Sequence, residues 1–446
     1  MSQARALPFE DSASGALGEA LRRFDWRGAP TVVEAVSIAA SGRAIQIDAF
    51  LNEFWTARQR AAHSLHEVSY RACFKPQLPR FFIERLTQQG DAVYDPFMGR
   101  GTTLVEAALL GRRAYGCDIN PLSRVLCEPR LTPPTLAEVE RALADVDLEP
   151  ADLGAIHAGG AVEPLASDVE APVLSDVEAC PERLLVFYHP HTLRQICALR
   201  QHLLAKERAG TLTRADRWIR MVAVNRLTGH SPGFFSVYTL PPNQAVSPKS
   251  QAKINARRGQ VPPERDVRKI ILRKSRALLR DCSAEVGALV DRATPHHRLI
   301  VGRASDTPQL DANSVALVVT SPPFLDVVDY KTDNWLRCWF CGIDASAVPV
   351  TLSRQVAAWQ QFVTEVLREV RRVLRPGGHV AFEVGEVRGG AVRLEDAVVP
   401  AGIAAGLEPV LLLINTQRFT KTANCWGVTN NSKGTNTNRV VVFRKH

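Results

Sequence analysis

Apolar residues recur along this chain with two different periods, and the points where the period changes divide it. "AVYDP" (92–96) is a short apolar run ending in an acid, "FMGRG" a turn, "TTLVEAALLG" a helix-spaced run closed by Gly111, and "RRAYGCDIN" a second apolar run ending at Asp118. Strand, helix and strand in that succession predict a βαβ unit with parallel strands and a right-handed crossover. The same rhythm returns near the carboxyl end. There "HRLIVGRAS", "VALVVTSPP" and "GGHVAFEVG" read as strands and "AAWQQFVTEVLREVRRVLRPGG" as a long helix stopped by Pro376 and Gly377. "PVLLLINTQRF" and "NRVVVFRK" read as a closing pair of strands.

Between and before these stretches the pattern is different. Residues 1 to about 45 are polar and Ala/Gly-rich with little periodicity, "IDAFLNEFWTARQRAAHSL" (47–65) reads as an amphipathic helix, and "FKPQLPRFFIERLTQQG" as a loop and a helix ending near Gly90. From about 131 to 180 the chain turns Ala-, Pro- and acid-rich, as at a boundary. Residues 183–292 follow as helices around an irregular stretch, "TGHSPGFFSVYTLPPNQAVSPKSQAKINARRGQVPP". The expected organisation is one α/β domain, in two parts at 65–130 and 293–446. It is preceded by a partly helical extension (1–64) and interrupted by a linker and a basic, mostly helical insert (131–292).

Charge sharpens that division. The formal net charge is +9, and between Lys249 and Arg280 eleven Lys or Arg stand against Glu264 and Asp266, an excess equal to that of the whole chain. Such a segment favours a polyanionic partner. Apolar and charged residues make up 46% and 23%, an ordinary globular balance, and no apolar run has the length of a membrane span. The nine cysteines include one close pair, Cys338 and Cys341 in "NWLRCWFCG", which reads as a buried helix face, so no metal site is expected. An odd count without a secretory leader suggests reduced thiols in a cytoplasm.

Two loops carry the candidate chemistry. "DPFMGRGTT" is a glycine-rich turn entering a helix, where Gly99 and Gly101 allow close backbone approach and the helix start offers donors. It lacks the lysine of a phosphate loop. Asp118, about twenty residues on, can accept from two ribose hydroxyls or cap the helix at Pro121. "TSPPF" ends an apolar strand in two prolines, a rigid turn displaying carbonyl oxygens, the Ser321 hydroxyl and the Phe324 ring. That surface suits a flat group with an exocyclic amine. In an open parallel sheet the two loops become neighbours if their strands flank the point where the winding reverses, whatever is inserted between them.

Together "DPFMGRGTT" and "TSPPF" resemble the cofactor and catalytic motifs of the S-adenosylmethionine-dependent amino DNA methyltransferases. The resemblance covers roughly residues 65–130 and 298–446. It implies a Rossmann-like, doubly wound sheet of seven strands whose last pair is antiparallel, with the basic insert as target-recognition region. It implies that Asp95, Pro96, Phe97, Gly99, Gly101 and Thr102 lie along the methionine portion of S-adenosyl-L-methionine, Asp118 on its ribose and Asp306 near its adenine. Phe74, Lys75 and Pro76 resemble the upstream segment that helps hold the methionine end. Ser321, Pro322, Pro323 and Phe324 would form the target-base pocket, with Trp426 in a segment near the base. Arg100 stands between the glycines, where relatives commonly have a small residue. The implied partner is double-stranded DNA with a flipped base, in a prokaryotic cytoplasm at the nucleoid, and a cognate restriction endonuclease is compatible with it.

The chemistry follows from the residues as well. The lone pair of a cytosine or adenine amine is delocalised into the ring. Accepting its protons at Ser321 Oγ and a Pro322 carbonyl favours a pyramidal nitrogen aimed at a sulfonium methyl, while Phe324 stacks on the ring. The target atom is buried in a stacked duplex, so the base must be flipped, and phosphate contacts offset that cost. "PKSQAKINARR" reads as a phosphate-contacting loop carrying Lys249, Lys253, Arg257 and Arg258; the alternative is a solvated basic surface. Asp326 and Asp329 read as helix-start acids, with a general base as the alternative. The resemblance, in which Ser before Pro-Pro goes with the cytosine amine, favours cytosine N4, while the hydroxyl itself suits adenine equally. Adenine N6, a base amine in RNA, and a non-catalytic DNA-binding protein that keeps the fold are the alternatives.

Overall fold

The structure, a computed structural model, describes residues 13–40, 42–56, 62–70, 73–149, 181–239, 245–323, 330–345, 347–348, 355–387, 392–416 and 437–446. Its frame is a nine-stranded sheet: β1 (Val32–Ala40), β2 (Arg43–Asn52), β3 (Ala92–Asp95), β4 (Arg113–Asp118), β5 (Arg298–Val301), β6 (Val315–Thr320), β7 (Leu374–Val384), β8 (Glu408–Thr416) and β9 (Thr437–Arg444), in the order β1-β2-β8-β9-β7-β6-β3-β4-β5. The run from β8 to β5 is the expected seven-stranded methyltransferase sheet. β7, β6, β3, β4 and β5 are parallel, and β9 is antiparallel to both neighbours. The winding reverses between β3 and β6, whose registers match Val93 with Leu317 and Tyr94 with Val318.

Two readings of the first 65 residues change. The stretch read as a helix at 47–65 begins as β2, paired antiparallel with β1 and in parallel, through residues 49–52, with β8. The polar region before it supplies helix α1 (Ala13–Arg22) and the nine residues of β1. Both faces of β2 reach a core. Phe50 packs in the core that holds Leu17 and Leu21 of α1, while Ile47 and Ala49 pack in the opposite core; the strand's own signal is the alternation of Ile45, Ile47, Ala49 and Leu51 with Gln46 and Asp48, which the helix reading, begun at Ile47, cut in two.

Helices cover both faces of the sheet. α2 (Gln77–Leu86), α3 (Thr102–Leu109) and α4 (Pro121–Leu131) share one core with the helices between β4 and β5. These are α5 (Leu136–Ala144), α6 (Pro190–Arg208), α7 (Arg214–Val224), α8 (Pro248–Arg258), α9 (Val267–Leu278) and α10 (Ala284–Ala293), of which α8 contributes no residue to that core. Trp218 and Ile271 from this group are buried in the same cluster as Val93 and Leu104. α11 (Tyr330–Cys341) packs on that side and buries both Cys338 and Cys341, as its sequence predicts. α12 (Val356–Val373) and α13 (Glu395–Ala404) cover the other face. Among the described residues no helix is long and apolar enough to cross a membrane, and no cluster of potential ligands could hold a metal ion.

The stretch read as a phosphate-contacting loop is helix α8. Ser247 caps it by accepting from Ser250 N, Pro248 occupies its first turn, and Gly259 ends it with φ 57°. An apolar stripe is missing because the helix docks through amides. Gln251 Nε2 donates to Tyr238 O (3.0 Å) and Asn255 Nδ2 to Val186 O (2.7 Å), while Gln260 Nε2 donates to Tyr238 O (2.9 Å). A search for apolar spacing passes over such a helix.

Candidate functional site

The glycine loop is shaped by two residues in the left-handed region, Gly99 (φ 47°) and Gly101 (φ 75°). At Gly101 a side chain is excluded twice, by its backbone and by Cys127 Sγ, which would stand 2.4 Å from a Cβ. The loop is tied to the end of β4: Met98 N donates to Cys117 O (2.9 Å) and Gly99 N to Asp118 Oδ2 (2.8 Å). Asp118 Oδ1 accepts from Asn120 N (2.9 Å). Burial raises the Asp118 carboxyl above its ordinary value, opposed by the Asn120 and Gly99 amides and the Ser123 hydroxyl. The cap of α4 is Asn120, which accepts from Leu122 N (3.0 Å), so the capping alternative for Asp118 does not hold. Arg100 leaves the loop altogether, folding inward to donate through Nη1 to Val68 O (2.7 Å) and through Nε to Thr102 Oγ1 (3.2 Å).

The paired-proline turn follows the adjacent strand at the same edge. Thr320 Oγ1 donates to Asp95 Oδ1 at 2.6 Å, and Thr103 Oγ1, in the first turn after the glycines, donates to Val319 O at 3.0 Å. Asp95 also accepts from Phe97 N (3.0 Å). Burial pushes the Asp95 carboxyl up to about 7, against the pull of these donors. Pro322 is buried, and the Pro323 carbonyl is engaged by Trp359 Nε1 of α12 at 2.9 Å. Phe97 is half-buried against Phe362, with ring centroids 5.8 Å apart. Phe324, Asp326, Asp329 and Trp426 lie outside the described residues.

Two motifs separated by more than two hundred positions therefore form one edge. Residues 40–123, which contain the glycine loop, match the DNA methylase family model for N6 and N4 methyltransferases. The segment that carries the glycine loop is thus similar to the amino DNA methyltransferases. It is similar to the Type II methyltransferase M.MvaI of Kocuria varians, 42% identical over 22% of this chain and 21% of that one. The similarity to the Type II methyltransferase M.BsoBI of Geobacillus stearothermophilus is weaker and longer, 24% identical over 64% of this chain and 54% of that one. A third relative, a tRNA (guanine(10)-N2)-dimethyltransferase of Methanocaldococcus jannaschii, is 36% identical over 14% of this chain and 18% of that one. The chain thus spans between about a fifth and about half the length of these curated relatives.

Against this amino methyltransferase frame one residue emerges that periodicity and motif both passed over. Glu383, near the end of β7, is fully packed behind the proline turn, in hydrogen-bond contact with Ser321, and accepts from Asn438 Nδ2 of β9 at 3.0 Å. Burial raises its carboxyl above the ordinary range, opposed by those two partners. The only signal in the sequence is an acid inside the apolar strand "AFEVG", a placement that is costly unless the carboxylate has partners.

The other predicted residues divide. Phe74 and Lys75 are half-buried and Pro76 is buried at the start of α2; burial lowers the Lys75 ammonium, and nearby Arg100 adds to it. Asp306 is exposed in the loop after β5, which reaches the end of β4 through Gly302 N to Asp118 O (2.9 Å). Lys249, Lys253, Arg257 and Arg258 are exposed on α8, with the Arg258 guanidinium over the Tyr238 ring at 3.8 Å. The cations of α9 differ, since several meet acids: Lys274 and Arg280 meet Glu67, Arg276 meets Glu140, and Lys269 meets Asp266. The basic excess read from sequence is thus largely neutralised on α9, and α8 carries its exposed part.

Proposed function

We propose that this protein transfers a methyl group from S-adenosyl-L-methionine to the exocyclic N4 amine of a cytosine flipped out of duplex DNA. The observation that supports it most is the hydrogen bond from Thr320 to Asp95, because it sets the cofactor-type loop beside the turn that displays Ser321 and Pro322. The loop suits the cofactor. Left-handed Gly99 is half-buried at the turn, where a ligand can approach its backbone, and half-buried Asp118 keeps lone pairs for ribose hydroxyls. When bound, the cofactor supplies an electrophilic methyl on sulfur.

The remaining work falls to the chain. Ser321 donates its hydroxyl proton to Glu383, so its oxygen lone pairs are left to accept from the target amine. The Pro322 carbonyl takes the second amine proton. Pro323 is already committed to Trp359, which fixes the turn instead of serving the base. As the methyl arrives, the amine's surplus proton passes to Ser321 Oγ, and the Ser321 proton passes to Glu383. A carboxyl raised by burial is a better proton acceptor near neutral pH than an ordinary one. Phe324 belongs to this reading as the stacking face, and the exposed cations of α8 hold the phosphates that offset base flipping.

Incubating the protein with methyl-labelled cofactor and DNA, then identifying the modified nucleoside by mass spectrometry, tests the reading. N4-methylcytosine is expected. N6-methyladenine would move the same chemistry to the other amine, which the Ser321 hydroxyl can also accept from. Label confined to RNA would overturn the DNA assignment in favour of the activity named for the tRNA-modifying relative.

A further inference from the structure

Two arginines that methyl transfer does not use lie buried under the glycine loop. Arg100, between Gly99 and Gly101, is 4% exposed, and among the described residues its guanidinium meets only neutral oxygens, Val68 O, His66 O and Thr102 Oγ1. Arg130, on α4, is 0% exposed and donates to Leu126 O (2.8 Å) and Leu65 O (3.3 Å), while among the described residues its Nη2 has no hydrogen-bond partner. That nitrogen would stand 3.6 Å from a Cβ on Gly101, so Arg130 approaches the loop from below. Among the described residues neither guanidinium is in an ion pair with a carboxylate. Glu106, the acid within this cluster, is engaged by His66 Nε2 (2.7 Å) and Arg80 Nη1 (3.4 Å).

Two buried positive charges without a counter-ion are costly in a low-dielectric interior, and an anion brought to the loop lowers that cost. Of the charges on S-adenosylmethionine only the carboxylate is negative; the ammonium and the sulfonium are repelled by the same field. We propose that Arg100 and Arg130 form a buried cationic floor that draws the cofactor's carboxylate onto the glycine loop and turns its sulfonium away, with Arg100 as a positioning residue. The inference rests on the cofactor reading above and adds the group that orients it.

The test compares two ligands that differ only in the carboxylate, S-adenosylhomocysteine and its decarboxylated analogue, by calorimetric titration of the wild type, Arg100→Gln and Arg100→Lys. Wild type is expected to prefer the carboxylate-bearing ligand by about tenfold or more, as a desolvated charge contact requires. Arg100→Gln is expected to bring the preference below about threefold by weakening that ligand alone, and Arg100→Lys to keep most of it. A wild-type preference near unity overturns the proposal without any variant. So does an unchanged preference in a folded Arg100→Gln protein, or equal loss in both variants, which would assign the effect to shape. Failure of the wild type to bind either ligand is a different result and sinks the cofactor reading itself.

Discussion

Thr320 and Asp95 stand 225 positions apart in the chain and share a hydrogen bond of 2.6 Å. Asp95 opens the glycine loop and Thr320 immediately precedes Ser321, so this bond fixes the spacing between the two halves of the site. Removing the donor in Thr320→Val leaves a buried carboxyl with one fewer partner, a loss of about 1–3 kcal/mol. Asp95 changes charge near pH 7, and the ionised form depends more on its donors. The loss in Tm is therefore expected to be larger at pH 8 than at pH 5.5. Equal losses at both pH values would mean that the Asp95 charge plays no part in the bond.

The raised Asp95 carboxyl also predicts how binding varies with pH. Its folded value of about 7 lies above the ordinary 3.8, so its contribution to stability is fully present below pH 4 and is lost as pH rises through 7. A cationic ligand beside it favours the ionised form. Affinity for S-adenosylmethionine should rise severalfold between pH 6 and pH 8, where one pKa unit corresponds to about 1.4 kcal/mol. Asp95→Asn should abolish that rise while making the unliganded protein relatively more stable at pH 8. Titration calorimetry at three pH values checks the first expectation and thermal melting the second.

Ser321 and Glu383 should fail together. Ser321→Ala is expected to leave cofactor affinity nearly unchanged and slow single-turnover methylation at least tenfold, about 1.4 kcal/mol of barrier. Glu383→Gln keeps the shape and the contact with Asn438 but removes the proton acceptor. It should slow the same step and flatten the acid limb of its pH profile. In a protein already carrying Ser321→Ala, Glu383→Gln should add little, because the two act on one proton. Additive losses would separate Glu383 from Ser321.

How much of this was legible in sequence depends on which physical signal each residue left. The seven strands and the pairing of the two loops were readable because the chain reports burial through apolar runs and turn geometry through glycine and proline. β2 was misread although Ile45, Ile47, Ala49 and Leu51 alternate with Gln46 and Asp48, because the helix reading began inside that strand at Ile47 and ran on past its end at Asn52. α8 was misread since Gln251, Asn255 and Gln260 dock it without an apolar stripe. Glu383 left one acid in a buried strand, which marks a partner without saying which; Ser321 lies in the turn just after the neighbouring strand and no local pattern links them. The charge of α9 misled for a similar reason, because Glu67 and Glu140, its neutralising acids, come from elsewhere in the chain.

That last distinction yields a prediction about DNA. Both α8 and α9 are rich in Lys and Arg, yet acids already meet several of the α9 cations, while Lys253 and Arg257 project from α8 into solvent. If α8 contacts phosphates, Lys253→Ala and Arg257→Ala should each weaken DNA binding to any sequence alike. Each should also reduce the slope of log affinity against log salt by about 0.9, the counterion release of one contact. Lys269→Ala on α9 should change that slope far less, since its charge is already met by Asp266. Cofactor affinity without DNA should be untouched in all three. Fluorescence anisotropy with a labelled duplex across a salt series measures every slope, and an equal change for α8 and α9 variants would move the DNA interface off α8.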